Sequence, residues 1–232
     1  MKNKKDIFLI ISSVMFFIFL FFSSIQILVN NDLFFKKFFN NYQLYERRGV
    51  TTEDGVIIID ELVDYMENKT EQLELKKPVL DFYEYSENET LHMVDVKNIY
   101  SFFKILRNFS CVFYVVTLFY FYKNYKNSKI FKKTITSFLI SILLFFGIIL
   151  LVLFNFDKFW IQFHEIAFNN DLWNLSPSTD LMINVCSNQM FKSIILNSFI
   201  IYILLSIIWL LCIYFYEKKQ SVNKKELTDI SD

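Results

Sequence analysis

Three stretches of this chain, Ile7 to Val29, Thr134 to Phe156 and Ile194 to Tyr216, contain no charged residue at all. A fourth, Tyr100 to Tyr122, is interrupted only in its first turns by Lys104, Arg107 and Asn108. At 1.5 Å per residue, a helix of about 20 residues crosses the ~30 Å hydrocarbon core of a bilayer. Each run therefore reads as a transmembrane helix. The composition agrees. With 54% hydrophobic residues, 29 phenylalanines, three glycines and two prolines in 232 residues, the chain is too apolar and too poor in turn formers for a soluble domain. The expectation is an all-α membrane protein with four transmembrane helices, a single integral membrane domain. Its loops 1-2 and 3-4 should form a mostly helical extracellular region.

The first run follows Lys2, Lys4 and Lys5 and so resembles a secretory signal. It is long enough to span, however, and the sequence after it, FFSSIQILVNND, has no small-x-small cleavage site, so it reads as an uncleaved helix. Charge orients the spans, about 7–29, 100–122, 134–156 and 194–216. Residues 1–6, the 123–133 connection with Lys123, Lys126, Lys129, Lys132 and Lys133, and the 217–232 tail are rich in lysine. The larger loops, 30–99 and 157–193, are acidic or mixed. The positive-inside rule places the lysine-rich segments and both termini in the cytoplasm and the two loops outside.

Within the first loop, Thr52 is a plausible N-cap, and Val56, Ile59, Val63 and Met66 recur at helical spacing, predicting an amphipathic helix. Lys76-Lys77-Pro78 stops any helix there. VLDFYEY has strand-like aromatic content. Ser86-Glu87-Asn88-Glu89 has the form of a capping box and predicts a helix that continues through Leu91, Val94 and Ile99 into the second span. Ser176-Pro177 has the form of an N-cap with proline at the first helical position, and Asp180 is placed to support that turn.

The chain has two histidines. His92 precedes the second span and His164 follows the third, so both are expected near the outer interface. Adjacent antiparallel spans would bring them side by side. Two imidazoles with ordinary pKa values of ~6.5 can act as base and acid near neutral pH. The plainer reading of each is an amphipathic residue at a headgroup boundary. Asp95, three residues after His92, is placed to orient its ring, or is a solvated carboxylate. Lys104 and Arg107 share a helix face, where snorkelling to lipid phosphates competes with a substrate contact. Asn170, Asp171 and Trp173 form a polar turn with one aromatic, which also suits a helix end with an interfacial anchor.

Other chemistries fit less well. The three cysteines, Cys111, Cys186 and Cys212, make no metal or disulfide spacing, and nothing marks Cys186 as an activated thiol. The sequence has no serine nucleophile elbow, Gly-rich phosphate loop or HExxH pattern. The histidines and acids match no metal-ligand spacing, and nothing points to nucleic acid.

The segments NETLHMVDVKNIY (Asn88 to Tyr100) and FHEIAFNNDLWNLSPSTDLMI (Phe163 to Ile183) resemble the two signature segments of the lipoprotein intramolecular transacylase (Lit) family of Gram-positive bacteria. Tyr42 to Met66 is similar to the family's extracellular part, and the four-span layout agrees. After Ile183 the chain reads NVCSNQMF where the family tends to have a proline-containing, aromatic-rich turn. The resemblance implies that the substrates are diacylglyceryl-modified bacterial lipoproteins, held in membrane lipid. It further implies that the sn-2 acyl chain moves to the α-amine of the N-terminal cysteine, giving the lyso-form, and that His92 and His164 are the catalytic pair. The attacking amine (pKa ~7.7–8) must lose a proton and the departing glycerol oxygen must gain one, so no metal, nucleotide or other cofactor is required. Asn170, Lys97 and Arg107 are candidates for stabilising the oxyanion. Two rival readings are a non-catalytic adaptor whose acidic outer region binds a partner, and a metal-dependent membrane hydrolase.

Overall fold

A computed structural model describes residues 2–124 and 128–229. Residues 1, 125–127 and 230–232, which carry parts of the expected cytoplasmic segments, lie outside the described residues. The elements are α1 (Lys2–Val29), α2 (Asp32–Tyr42), α3 (Leu44–Arg48), α4 (Thr52–Met66), α5 (Glu87–Asn124), α6 (Ser128–Phe154), α7 (Phe156–Ala167), α8 (Met182–Val185) and α9 (Asn188–Asp229). Four of them are long and apolar enough to cross a membrane, over Ile7–Val29, Glu87–Phe121, Thr134–Phe154 and Asn188–Tyr216. The protein is thus all-α and built on membrane helices, as its apolar runs require. The chain divides into two compact units, Met1–Ser24 with Leu106–Ile149 and Phe199–Asp232, and Ile25–Ile105 with Leu150–Ser198.

The first unit is a bundle of transmembrane segments. Its centre is aromatic: Phe16, Phe17, Leu20, Tyr114, Phe138 and Tyr202 are buried together. Phe16 stacks on Tyr114 at 4.0 Å between ring centroids, and Tyr202 meets Phe17 edge-on at 4.8 Å. Close helix approach in lipid normally relies on glycine and alanine. This chain has three glycines and a single alanine, and serine and threonine take over. Ser13, Thr117, Ser141 and Ser206 are buried. Each donates to a carbonyl one turn back in its own helix, at 2.8 to 3.0 Å. That bond satisfies the hydroxyl where no water reaches, so the small side chain is tolerated inside. Large apolar residues face outward, among them Phe109, Val112, Val116, Leu143 and Ile208, which is the surface that lipid covers.

The second unit is built around α4. Thr51, not Thr52, caps it: the Thr51 hydroxyl accepts from the Asp54 backbone N–H at 3.1 Å. The expected stripe is buried at Val56, Ile59 and Val63, while Met66 is half-buried. A second face, Gly55, Ile58, Glu61, Leu62 and Tyr65, is buried as well. The helix therefore packs on two sides, which a one-face periodicity does not reveal. Helix α2 packs against it through Phe35 and Phe39. A methyl group on Gly55 would lie 2.9 Å from the fully buried Phe39 ring and 3.1 Å from Leu44. Gly55→Ala is therefore expected to destabilise the protein by about 1–3 kcal/mol through overpacking, partly offset by ~1 kcal/mol of helix propensity. A lowered melting midpoint in detergent checks this.

The strand-like content of VLDFYEY yields a single bridge rather than a strand. Val79 and Phe82 exchange two backbone hydrogen bonds, at 3.0 and 3.1 Å, around a tight turn with Leu80 at φ 58°. Tyr85 then turns inward, and its hydroxyl donates to the buried Glu61 carboxylate at 3.0 Å. Two other boundaries differ from expectation. The helix of the third span, α6, ends at Phe154, where Asn155 interrupts it and caps α7 through its side chain, which accepts from Lys158 N–H at 3.3 Å. The fourth membrane helix starts at Asn188, six residues before the apolar run.

Candidate active site

The second unit brings the two histidines together. The capping box folds as its spelling predicts. The Ser86 N–H donates to a Glu89 carboxylate oxygen at 2.7 Å, and the Ser86 hydroxyl accepts from Glu89 N–H at 3.3 Å. This starts α5 so that His92 falls on its second turn, 6% exposed. Helix α7 carries an aromatic face on which Phe156, Trp160 and His164 are spaced one turn apart, Phe156 and His164 buried and Trp160 half-buried. The imidazole centroids of His92 and His164 are 6.1 Å apart. Phe168 packs against both rings, at 5.0 Å from His92 and 5.5 Å from His164.

The surroundings of the two rings differ. Nδ1 of His164 lies 2.7 Å from the Trp160 carbonyl. A carbonyl can only accept, so Nδ1 carries the hydrogen and the neutral ring presents its lone pair at Nε2. Trp160 and Trp173 pack on the same ring at 4.6 and 5.0 Å. Burial in this aromatic setting holds the His164 pKa below the ordinary value, opposed by the bond to Trp160. Nδ1 of His92, by contrast, is buried and has no hydrogen-bond partner among the described residues. Such orphaned groups are rare and destabilising, and burial lowers the His92 pKa to about 4.

The expected supporting residues divide. Asp95 makes its hydrogen bond away from His92, on which it acts through its charge, raising a pKa that burial lowers. Its carboxylate accepts from the Asn170 side-chain amide at 2.9 Å, and the Asn170 oxygen accepts from Leu172 N–H at 3.1 Å. A helical i, i+3 spacing puts two side chains on one face, but a partner from a distant loop can claim the carboxylate. Trp173 sits on His164 as described, while Asp171 is exposed and its carbonyl closes the turn to Asn174 at 3.0 Å. The Lys97 ammonium lies 4.0 Å from the centre of the Tyr65 ring, a cation–π contact that fixes it against α4. Lys104 pairs with Glu67, which also accepts from Tyr100 and, at 3.1 Å, from Gln26. The ion pair, rather than snorkelling alone, accounts for a lysine at that depth. Arg107 belongs to the first unit and bonds the Asn108 side chain at 3.2 Å.

Ser176-Pro177 begins a turn and not a helix, with Asp180 supporting it as expected: its carboxylate accepts from Ser176 N–H at 2.7 Å and from the Thr179 hydroxyl at 3.0 Å. The Ser86 hydroxyl donates to the other Asp180 oxygen, and the Met182 N–H donates to Glu89. Glu89 was readable as a cap but not as a tertiary anchor, because its second acceptor role depends on a backbone amide 93 residues away. Desolvation pushes the Cys186 thiol up to about 12, with Glu89 adding to the effect, the opposite of an activated nucleophile. Among the described residues no group of three or more His, Cys, Asp or Glu side chains is arranged to hold a metal ion. An open apolar groove of about 350 Å³ is lined by Asn98, Ile99, Phe102, Phe103, Phe163 and Ala167.

A family model described as lipoprotein intramolecular transacylase Lit matches residues 10–191. No curated protein matches the chain. Among solved structures, the membrane integral lipoprotein intramolecular transacylase Lit from Bacillus cereus, determined in meso, is 22% identical with a TM-score of 0.75, covering 95% of this chain and 100% of that one. A form of the same protein with a histidine-to-alanine mutation is 20% identical with a TM-score of 0.74, covering 95% of both chains. A histidine-to-arginine form gives 22% and 0.69, covering 95% of this chain and 96% of that one. At these identities the structures speak for the fold, whereas the family model spans well over half of the chain. The chain belongs to the lipoprotein intramolecular transacylase (Lit) family, and is a multi-pass membrane acyltransferase.

Proposed function

We propose that this protein moves the sn-2 acyl chain of an S-diacylglyceryl lipoprotein to the α-amine of its N-terminal cysteine, by acid–base catalysis between His92 and His164. The observation that carries the reading is the buried imidazole pair. One ring has its tautomer set by a backbone carbonyl, and the other has a nitrogen unpartnered among the described residues. His164 Nε2 takes the proton that the amine loses as it attacks the ester carbonyl. Burial holds His92 neutral, with its pKa lowered to about 4, so it receives the proton taken by His164 and delivers it to the glycerol oxygen as the carbon–oxygen bond breaks. The proton lost by the amine is the one gained by the glycerol oxygen, so both rings end neutral as they began. The amine and ester belong to one molecule, and holding them in register supplies effective molarities of about 10⁵ M or more. Trp173 and Phe168 exclude water from the rings, and Asn170, itself held by Asp95, is the amide among the residues expected to stabilise the oxyanion.

The same reading places the spans at about 7–29, 100–122, 134–156 and 194–216, both termini in the cytoplasm and the histidine pair at the external face, on the distribution of lysine. Outer-leaflet lipoproteins then present their ester carbonyls at the depth of the two rings. The deciding experiment is fragmentation mass spectrometry of one lipoprotein's N-terminal peptide from a diacyl-producing bacterium, with and without this protein. Transfer conserves mass, so the fragments must locate the acyl chain. One chain on the amine and one on glycerol supports the proposal. Both chains remaining on glycerol, with the protein expressed, overturns it.

A pH dependence follows from the burial of His164. Its lowered pKa keeps the ring neutral and able to accept a proton in mildly acidic solution. Activity lost through protonation of this base should therefore fall only below the ordinary ~6.5 of a histidine. Rates in mixed micelles between pH 5 and 8, corrected for the free-amine fraction of the substrate, check the position of that acid limb.

A further inference from the structure

Three side chains at successive three-residue steps, Glu89, His92 and Asp95, share one face of α5. The two carboxylates hold opposite ends of a single loop. Asp95 accepts from Asn170 at 2.9 Å. Glu89, with no exposed surface, receives the Met182 N–H on one oxygen and the Ser86 N–H, at 2.7 Å, on the other. Ser86 strengthens the second tie by donating to Asp180. Asn184 locks the turn behind it, donating to the Asp180 carbonyl at 2.9 Å and the Pro177 carbonyl at 3.0 Å. Between the two ties lies Trp173, whose ring rests on His164. A fully buried carboxylate is retained only at an energetic penalty, and a helix cap alone does not need one.

We infer that Glu89 is a positioning residue for the reaction: with Asp95 it fastens the loop that carries Trp173 onto the His92 face of α5, and so holds the two imidazoles at reacting distance. The inference rests on the histidine chemistry proposed above. Its specific content is that Glu89 acts through His164 and not on the substrate. When the Glu89 tie fails, the loop and Trp173 are no longer held against His164, water reaches the ring, and the imidazole titrates closer to its ordinary value. His92 is the ionisable group in ring contact with His164; its other ring neighbours are Trp160, Phe163, Phe168 and Trp173.

The test is Glu89→Gln in the full chain. Glutamine keeps the volume and one acceptor oxygen, but sets its NH₂ against one of the two backbone N–H donors. With two histidines in the chain, a histidine-labelled sample in detergent gives two imidazole signals to titrate by NMR. The expected result is a fall in kcat of about tenfold to a hundredfold, the scale of an ångström-sized misplacement, with KM for a diacylglyceryl lipopeptide within about twofold, and His164 titrating at higher pH than in the wild type. A fall in kcat with both imidazole titrations unmoved overturns the inference, as does wild-type kcat with unmoved titrations. A moved titration with wild-type kcat upholds the positioning and overturns the histidine mechanism instead. Ser86→Ala, which removes the hydroxyl tie to Asp180 and keeps Glu89, gives the same pattern at smaller amplitude if the glutamine variant does not accumulate.

Discussion

His164→Ala is expected to reduce lyso-form production by about 10²- to 10⁴-fold, the usual contribution of a general base, while the protein still accumulates in the membrane. Among the described residues the ring makes one hydrogen bond, from Nδ1 to the Trp160 carbonyl one turn back in its own helix. Alanine gives up that bond and the contacts with Trp160 and Trp173, but it is the strongest helix former and leaves α7 intact. What disappears is the Nε2 lone pair. His164→Asn separates the two roles. Its amide can still donate towards Trp160, yet it offers no basic nitrogen, so it should be as inactive as alanine and closer to the wild type in stability. The readout is fragmentation mass spectrometry of a reporter lipoprotein alongside membrane-fraction blots. Full activity in the asparagine variant would remove His164 from the chemistry. Residual turnover above background is compatible with the mechanism, because the amine and ester remain paired in one molecule.

The membrane helices were legible because lipid imposes a one-dimensional requirement: enough consecutive apolar residues, without regard to neighbours. The cap at Ser86 and Glu89 was legible for the same local reason. The boundary at Asn155 was not, since the apolar run continues through Phe156 and only the side chain of Asn155, bonded to the Lys158 amide, shows where one helix ends and the next begins. Asp95 illustrates a further limit. Spacing placed it beside His92 correctly, but which group it bonds was decided by Asn170, 75 residues away. Glu89 was read as a cap residue alone; it and Glu61 are both buried, with partners from distant loops. The pairing of His92 with His164 was anticipated from the topology of two antiparallel spans. What fixes it is different: His164 stands on a separate helix, α7, and the aromatic residues Trp160, Phe168 and Trp173 set the orientation and burial of the rings.

His92→Leu carries the second large effect, and its signature is opposite in stability and in function. Nδ1 of His92 is buried without a partner among the described residues, and a buried unsatisfied polar atom costs about 1–3 kcal/mol. Leucine fills much of the same space against Phe168 and removes the orphan. The variant should therefore melt at or above the wild-type temperature in detergent. Its rate of acyl transfer should nevertheless fall by about 10²- to 10⁴-fold, because the variant has no imidazole to carry the proton to the glycerol oxygen. A purely structural histidine predicts the reverse, lowered stability with activity intact. The double variant with His164→Ala adds a further discrimination. Groups that act as one unit are strongly non-additive, so the double loss should be no greater than that of the more damaging single variant. Multiplicative losses would mean that the two imidazoles serve separate steps, and that the 6.1 Å approach of their rings has no part in passing a proton between them.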